Sequence, residues 1–233
     1  MSRSLVFAAG DPAAPLLALD SVGAPLDFSR LVPGDGPLEI EIGFGKGRFL
    51  VRRATESPER RFLGVEIAHE YFQLAVHRVR RRKLRNAAAV CGDALYLAAT
   101  VLPRECAQVL HIYFPDPWPK LRHHKRRLFD PTTVDLVLGL LAPAGELFFA
   151  TDFLEYGERV RELLESHPAV LVERRDEQWP DGARTNYEAK YIEEGRPILR
   201  LVVRRTGAPI APHPAGLEAV VHAWSPSAAG DEE

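Results

Sequence analysis

The sequence predicts a doubly wound α/β fold built on a mostly parallel sheet. Short apolar segments with the composition of strands alternate with segments of helical period, and this alternation occurs five times between residues 38 and 166. The segment Ala107–Phe114 is almost continuously apolar, as parallel strands buried on both faces are. We expect seven strands, the last two forming an antiparallel hairpin at one edge of the sheet.

The predicted elements follow one another in a regular order. The first strand leads through glycines into the first helix, and Asp130 and Pro131 are suited to be the N-cap and first residue of the fourth helix. The predicted strands are Leu38–Ile42, Phe62–Ile67, Ala87–Cys91, Ala107–Phe114, Gly145–Thr151, Val170–Arg174 and Ile198–Arg205. The predicted helices are Lys46–Thr55, His69–Leu84, Ala94–Val101, Pro131–Leu141 and Leu154–Ser166.

The length of 233 residues is enough for one domain with a substantial core, which we place at residues 38–205. Residues 1–37 contain five prolines and no sustained periodicity, so we expect a loosely ordered arm with one short strand at most. Residues 206–233 are rich in alanine and proline, a composition that predicts a flexible tail.

Composition argues against several classes of function. The net charge is only −2, so any affinity for nucleic acid must come from local clusters of basic residues. Cys91 and Cys106 are too few for a disulfide framework and lack metal-ligand spacing, so we expect a reducing compartment and no metal site. No segment has the length and apolar character of a membrane span. We therefore predict a cytoplasmic protein without membrane association, acting as a monomer or homodimer.

The stretch from Leu110 to Lys120 carries the most specific motif, Phe-Pro-Asp-Pro-Trp-Pro-Lys. Proline fixes φ and restricts the residue before it, so we expect Asp116 in a stiff turn just past the end of a strand. Ligands of open parallel sheets bind at that edge. A proline-rich surface turn is the alternative interpretation. The sequence leaves open whether Trp118 stacks on an RNA base or packs under its own loop.

A glycine loop with an acidic residue before it follows the first strand. Its glycines are Gly43, Gly45 and Gly47, and their spacing differs from the dinucleotide pattern G-x-G-x-x-G. The carboxylate of Glu41 repels a pyrophosphate and attracts a cation, which favours S-adenosylmethionine over NAD. On its own, however, this loop is equally typical of a structural turn between a strand and a helix.

Two further acids end the next two predicted strands. Glu66 is placed to accept ribose hydroxyls, and Asp93 to accept an adenine amino group, although Asp93 is equally suited to be a helix N-cap. With Glu41 and Asp116, four successive strand ends carry an acid on one edge of the sheet. Chance alignment of four acids is much less expected than any single cap.

A basic run directly follows the proline-rich motif. It consists of Arg122, His123, His124, Lys125, Arg126 and Arg127. Six basic or titratable side chains in sequence repel one another unless an anion neutralises them, so the run favours RNA phosphate contact over a solvated loop. A second run, Arg78–Arg85, lies on the outer face of a predicted helix, where a solvated surface and RNA contact are both compatible with the pattern.

Taken together, these motifs resemble the bacterial tRNA (guanine-N7)-methyltransferase family over roughly residues 38–205. The resemblance is carried by residues 41–45, 64–67, 92–94, 114–120, 150–152 and 185–188. It implies the Rossmann-like class I methyltransferase fold, S-adenosylmethionine as cofactor and tRNA as partner. The implied reaction is methylation of N7 of the variable-loop guanosine, tRNA position 46, to give 7-methylguanosine.

The resemblance also implies roles for individual residues. Asp116 is the implied catalytic residue. The implied cofactor-binding residues are Glu41, Gly43, Gly45, Gly47, Glu66, Asp93 and Asp116. The implied substrate-binding residues are Lys120, Asp152, Thr185, Asn186, Tyr187 and Glu188. Without the resemblance, Asp152 is as well explained as a helix N-cap, and Thr185–Glu188 as the start of a helix. The proline-rich arm differs from the basic arm that family members often have.

Two alternative functions remain compatible with the sequence. One is a class I methyltransferase that acts on another RNA or on a small molecule, and the other is a catalytically silent RNA-binding module. S-adenosylhomocysteine should raise the melting temperature of an enzyme and leave that of a silent module unchanged. The complete set of acids and glycines favours the enzyme.

Overall fold

The computed structural model describes residues 5–9, 15–19 and 25–212, apart from the side chains of Leu121 and Lys125. Its strands are β1 (Leu5–Phe7), β2 (Leu17–Ala18), β3 (Leu38–Ile42), β4 (Arg61–Glu66), β5 (Ala87–Cys91), β6 (Ala107–Tyr113), β7 (Leu141–Thr151), β8 (Val170–Arg175) and β9 (Leu199–Arg205). Its helices are α1 (Phe28–Leu31), α2 (Arg48–Glu56), α3 (His69–Arg81), α4 (Ala94–Thr100), α5 (Val134–Leu138), α6 (Leu154–Glu165) and α7 (Asn186–Glu193). A 3₁₀-helix covers Leu121–Arg126.

The described strands form one sheet in the order β2-β1-β5-β4-β3-β6-β7-β9-β8. Strands β3 to β7 run parallel, whereas β9 pairs antiparallel with both β7 and β8. The predicted mostly parallel α/β fold and its antiparallel carboxyl-terminal pair are confirmed. All seven predicted strands are present, and the last one inserts between β7 and β8. Because β3 to β7 are parallel, their carboxyl ends meet at one edge of the sheet.

The described part of the arm extends the sheet by two strands, where we expected one at most. Strand β1 pairs antiparallel with β5, and β2 pairs with β1. Val6 and Phe7 are fully buried and join the clusters on opposite faces of the sheet, so an apolar segment of three residues covers the edge of β5. The predicted tail lies outside the described residues beyond position 212, and the domain boundaries stay a prediction.

Helices cover both faces of the sheet, as a doubly wound fold requires. The larger cluster of buried side chains joins one face of the sheet to helices α1, α4, α5 and α6, with Tyr156 and Val160 of α6 at its centre. A smaller cluster joins the other face to α2 and α3, through residues such as Leu50 and Phe72. No helix in these described ranges is long and apolar enough to cross a membrane.

Helix α5 begins three residues later than predicted. Asp130 accepts a hydrogen bond from the backbone N–H of Thr132, but it does so in a turn that precedes the helix. Thr133 takes the N-cap position, and its hydroxyl donates to the carbonyl of Leu128. The polar residues after Pro131 therefore bond within the turn, and the helix begins only at Val134.

Candidate active site

A cavity of about 290 Å³ lies at the carboxyl edge of the parallel strands. The glycine loop forms one wall, the end of β6 forms the base, and the start of α7 forms the opposite wall. Its lining includes Glu41, Gly45, Tyr113, Phe114, Thr185 and Asn186. The guanidinium of Arg48 donates to the side-chain oxygen of Asn186 at 3.1 Å, which ties the glycine loop to the opposite wall.

Two of the three predicted glycines face this cavity. A Cβ atom added at Gly43 or Gly45 would meet nothing within 4 Å, so the loop presents bare backbone to open space. Gly47 has a different role, because a Cβ there would lie 2.9 Å from Cβ of Ala75. Its φ of 67° and this close contact allow α2 to begin directly against α3.

Glu66 is buried and holds the glycine loop in place. One carboxylate oxygen accepts the N–H of Gly45 at 2.7 Å, and the other accepts the N–H of Ala68 at 2.9 Å. An ionised carboxylate has about four acceptor sites, so these bonds leave capacity for ribose hydroxyls. The structure therefore joins the predicted acid to the predicted loop.

Glu41 is a buried acid in the cavity lining. Its Oε2 atom is buried without a hydrogen-bond partner among the described residues. Burial raises the pKa of Glu41 well above its usual range, and the nearby Glu66 carboxylate adds to this effect. A buried acceptor without a donor is costly, and a cationic or hydrogen-bonding ligand would relieve that cost.

Asp93 is the N-cap of α4, as the alternative interpretation predicted. Its carboxylate accepts the N–H of Tyr96 at 2.8 Å. Burial raises the pKa of Asp93. Its predicted contact with an adenine amino group stays a prediction.

Asp116 lies on the surface, two residues beyond Phe114 of the cavity lining. Its loop is strained, because Phe114 and Trp118 have φ values of 52° and 41°. A non-glycine residue in this left-handed region costs on the order of 1–3 kcal/mol, so the surrounding structure must hold the loop. An exposed carboxylate on a rigid turn is suited to meet a large substrate.

Trp118 and the basic run pack against each other. The guanidinium of Arg126 lies 5.0 Å from the centre of the indole ring, and the ring of His123 meets it edge-on at 5.7 Å. Arg126 itself is exposed, as are Lys120 and Arg122. Of the predicted RNA contacts, Trp118, His123 and Arg126 therefore form one cluster. The side chain of Lys125 lies outside the description.

Arg127 differs from its prediction as a phosphate contact. Its side chain is buried, and its guanidinium donates to the carbonyl of Pro117 at 2.8 Å and more weakly to that of Trp118 at 3.4 Å. A guanidinium that is committed to loop carbonyls is not available to RNA. His124 is half-buried, and its Nε2 is buried without a partner among the described residues.

Thr185–Glu188 forms the start of α7, which agrees with the helix-start interpretation. The hydroxyl of Thr185 accepts the N–H of Glu188 at 3.0 Å. The carboxylate of Glu188 accepts the N–H of Arg184 at 2.8 Å and is ion-paired with Arg200 at 2.9 Å. Thr185, Asn186 and Tyr187 line the cavity, but Glu188 is fully buried behind them. The prediction that Glu188 touches the substrate is therefore corrected to a role inside the wall.

Asp152 follows the end of β7 and is half-buried. Its carboxylate faces Arg196 at 3.5 Å. The N-cap position of α6 belongs to Phe153, so Asp152 is not the helix cap that the alternative interpretation allowed. Its predicted contact with the substrate stays a prediction.

Arg184, which no sequence motif indicated, anchors the cavity wall formed by the start of α7. Its guanidinium lies within 5.8 Å of four ring centres and donates to the hydroxyl of Tyr113 at 2.6 Å. Those rings belong to Phe49, Tyr113, Phe148 and Trp179. Burial raises the pKa of Tyr113, which keeps its hydroxyl neutral beside the cation. Arg184 is therefore held against β6, and it fixes the position of Asn186, which lines the cavity two residues later.

Behind this anchor, His111 connects Tyr113 to Glu39 by hydrogen bonds of 2.9 and 2.8 Å. Burial lowers the pKa of His111. Although burial alone would raise it, hydrogen bonds from His111 and Arg53 and the charge of Arg53 lower the pKa of Glu39 to about 2. The alternation of His111 and Tyr113 on one face of β6 was the only sequence signal for this network.

The described residues do not form a metal site or a disulfide. Among them, no group of three or more His, Cys, Asp or Glu side chains is arranged to hold a metal ion. Cys91 and Cys106 are both free. The open glycine loop, the buried Glu41 with one carboxylate oxygen lacking a partner among the described residues, and the exposed Asp116 after β6 share one edge of the sheet. This fold and this site define a class I methyltransferase.

Solved structures agree on the fold. The 16S rRNA methyltransferase KamB aligns with a TM-score of 0.54 at 14% identity, covering 74% of this chain and 89% of KamB. The antibiotic-resistance methyltransferase Kmr aligns with a TM-score of 0.52 at 18% identity, covering 86% of this chain and 99% of Kmr. At these identities the similarity concerns the fold alone, and it confirms the class I methyltransferase fold.

Sequence relatives identify the family. Residues 35–201 match the family described as "Putative methyltransferase". A tRNA (guanine-N(7)-)-methyltransferase of Nitrosococcus oceani is 33% identical over 192 residues, covering 82% of this chain and 81% of the relative. The enzyme of the same name from Alkalilimnicola ehrlichii is 36% identical over 190 residues, covering 80% of each chain. The chain belongs to the tRNA (guanine-N7)-methyltransferase family.

Proposed function

We propose that this protein transfers the methyl group of S-adenosylmethionine to N7 of a guanine in tRNA, and that the target is the variable-loop guanosine at tRNA position 46. Family membership supports the reaction and the tRNA substrate. The main structural support is the exposed Asp116, which lies two residues beyond the lining of the cavity. We further propose that the protein acts in the cytoplasm, as a monomer or homodimer.

The residues of the cavity fit S-adenosylmethionine. Bare backbone at Gly43 and Gly45 allows the cofactor to approach closely, and the unpaired Oε2 of Glu41 is suited to its amino group. Glu66 keeps acceptor capacity for the ribose hydroxyls. When bound, this cofactor supplies a methyl group attached to a positively charged sulfur.

The proposed task of the protein is positioning and charge stabilisation. Guanine N7 carries a lone pair and no proton, so its methylation requires no general base. The base becomes positively charged in the reaction, and the carboxylate of Asp116 is suited to stabilise that charge. The same carboxylate can accept hydrogen bonds from the N1–H and the amino group of guanine, whereas adenine lacks the N1–H. Holding two reactants in line can lower the barrier by roughly 7–11 kcal/mol in favourable cases.

The decisive experiment is incubation with unmodified tRNA and labelled S-adenosylmethionine, followed by mapping of the labelled nucleotide. We expect one 7-methylguanosine at position 46, and none in a transcript that carries adenosine there. Label on another guanine would contradict the proposed target. Label on adenine, or no label, would contradict the proposed reaction.

The raised pKa of Glu41 predicts proton release when the cofactor binds. Burial favours the protonated carboxyl, whereas a cationic ligand favours the carboxylate. Affinity for S-adenosylmethionine should therefore rise as the pH rises toward the pKa of Glu41, and then level off. Isothermal titration in buffers of different ionisation enthalpy measures the released proton.

The Glu41→Gln variant is the matched control for this prediction. Glutamine keeps the size of the side chain and cannot ionise. The variant should therefore bind S-adenosylmethionine more weakly, and its affinity should no longer show the Glu41-dependent change with pH. Identical proton release from the wild type and this variant would contradict the assignment of Glu41 to the cofactor.

His123 of the basic run predicts a second pH effect, on tRNA affinity. Partial burial lowers the pKa of His123 below its usual 6.5, and the cations of Arg122, Arg126 and Lys120 lower it further. Because only the protonated ring attracts phosphate, tRNA affinity should increase as the pH falls below about 6.5, by up to about tenfold. Filter binding between pH 7.5 and 5.5 tests this, and a His123→Gln variant that keeps the full effect would contradict it.

A further inference from the structure

Among the members of the basic run whose side chains are described, Arg127 is the one that is buried. Only 4% of its surface is exposed, whereas its neighbour Arg126 is on the surface. Its guanidinium lies 4.8 Å from the ring centre of Tyr156, which is itself buried on α6. The planar guanidinium therefore packs against the core through the ring of Tyr156.

The proline-rich loop needs a donor of this kind. Pro115, Pro117 and Pro119 have no N–H group, so the loop has few backbone donors for its own carbonyls. Arg127 donates through Nε to the carbonyl of Pro117 and through Nη2 to that of Trp118. Arginine presents several N–H donors in a rigid plane, whereas lysine presents a single flexible ammonium group.

We propose that Arg127 is a positioning residue for the methyl transfer, acting by fixing the Pro117–Trp118 segment and thereby the carboxylate of Asp116. Pro117 follows Asp116 directly, and the left-handed φ of Trp118 requires an external restraint. Arg127 does not line the cavity of the glycine loop. Its loss should therefore disturb the placement of the guanine without weakening the cofactor site. This inference rests on the proposed function.

The test compares Arg127→Lys with the wild type, using a tRNA transcript and saturating S-adenosylmethionine. We expect kcat to fall about 10- to 100-fold, because small displacements of reacting groups have effects of this size. The dissociation constant of S-adenosylhomocysteine should stay within about twofold of the wild-type value. A purely structural role would instead weaken cofactor binding and lower the melting temperature together.

Two further variants complete the test. Arg127→Met keeps the apolar stem without any donor and should lose more activity than Arg127→Lys. Arg204→Lys is the control, since Arg204 lies at the opposite edge of the sheet in ion pairs with Glu146 and Glu173. It should retain wild-type kcat.

Three results would overturn the inference. The first is an unchanged kcat in both Arg127 variants, and the second is a change confined to the KM for tRNA, which would restore Arg127 as a phosphate contact. The third is loss of the folded state in both variants, which would make Arg127 a residue of the fold alone. If the wild-type protein transfers no methyl group to tRNA, the proposed function fails instead.

Discussion

Replacing Asp116 by Asn should lower kcat for tRNA methylation by about 100-fold or more. The change removes the negative charge that faces the developing cation and replaces one acceptor oxygen by a donor amide. Loss of a single preorganised electrostatic contact in an active site has effects of about this size. Single-turnover assays with saturating cofactor measure the chemical step directly.

The expected effect on cofactor binding is small. Asp116 lies on the surface beyond the cavity lining, so the affinity for S-adenosylhomocysteine should stay within about threefold of the wild-type value. Asp35→Asn is the matched control, because Asp35 is also exposed but precedes β3 at the opposite edge of the sheet. Near-normal turnover of Asp116→Asn would refute the positioning and charge-stabilising role of this residue.

The second large effect concerns stability, at the buried ion pair between Glu188 and Arg200. Both side chains are almost completely buried, and their nitrogen and oxygen atoms are 2.9 Å apart. Glu188→Ala leaves the guanidinium of Arg200 without its carboxylate inside the core. Removing one partner of a buried pair typically costs about 3–5 kcal/mol. Urea unfolding should show a loss of that order.

Two comparisons make this stability prediction specific. Glu193→Ala changes an exposed glutamate of the same helix and should alter the free energy of unfolding by less than about 0.5 kcal/mol. Replacing both Glu188 and Arg200 by Met should cost less than Glu188→Ala alone, because no charge is then left unpaired. If Glu188→Ala has normal stability but no longer methylates tRNA, Glu188 contacts the substrate and the role inside the wall is wrong.

The fold was predictable because its signals are local. Apolar strands alternate with amphipathic helices, and the confirmed parallel order follows from that alternation. The placement of β9 between β7 and β8 is a matter of long-range pairing, which no local pattern indicates. The pairing of β1 with β5 was missed for the same reason, since a run of only three residues, Leu5–Phe7, carries almost no periodicity.

The site was predictable to the level of the sheet edge but not to the level of side-chain partners. The glycine spacing and the strand-end acids predicted the glycine loop, which forms one wall of the cavity, and the acids beside it. The sequence could not show that Arg127 turns inward while Arg126 turns outward, because both occupy one continuous basic run. It could not distinguish Glu188 from the residues before it either, since its partner Arg200 is remote in the chain and lies on another strand.

The outermost strands of the sheet affect whether the protein aggregates at high concentration. An unpaired strand edge is a template for polymerisation with other chains. Among the described strands, one edge of the sheet is β2, which has two residues and so offers little backbone to an incoming strand. The other edge, β8, carries the charges of Glu173, Arg174 and Arg175. Edge-to-edge pairing of this sheet with other chains is therefore disfavoured by the short β2 at one edge and by the charges of β8 at the other.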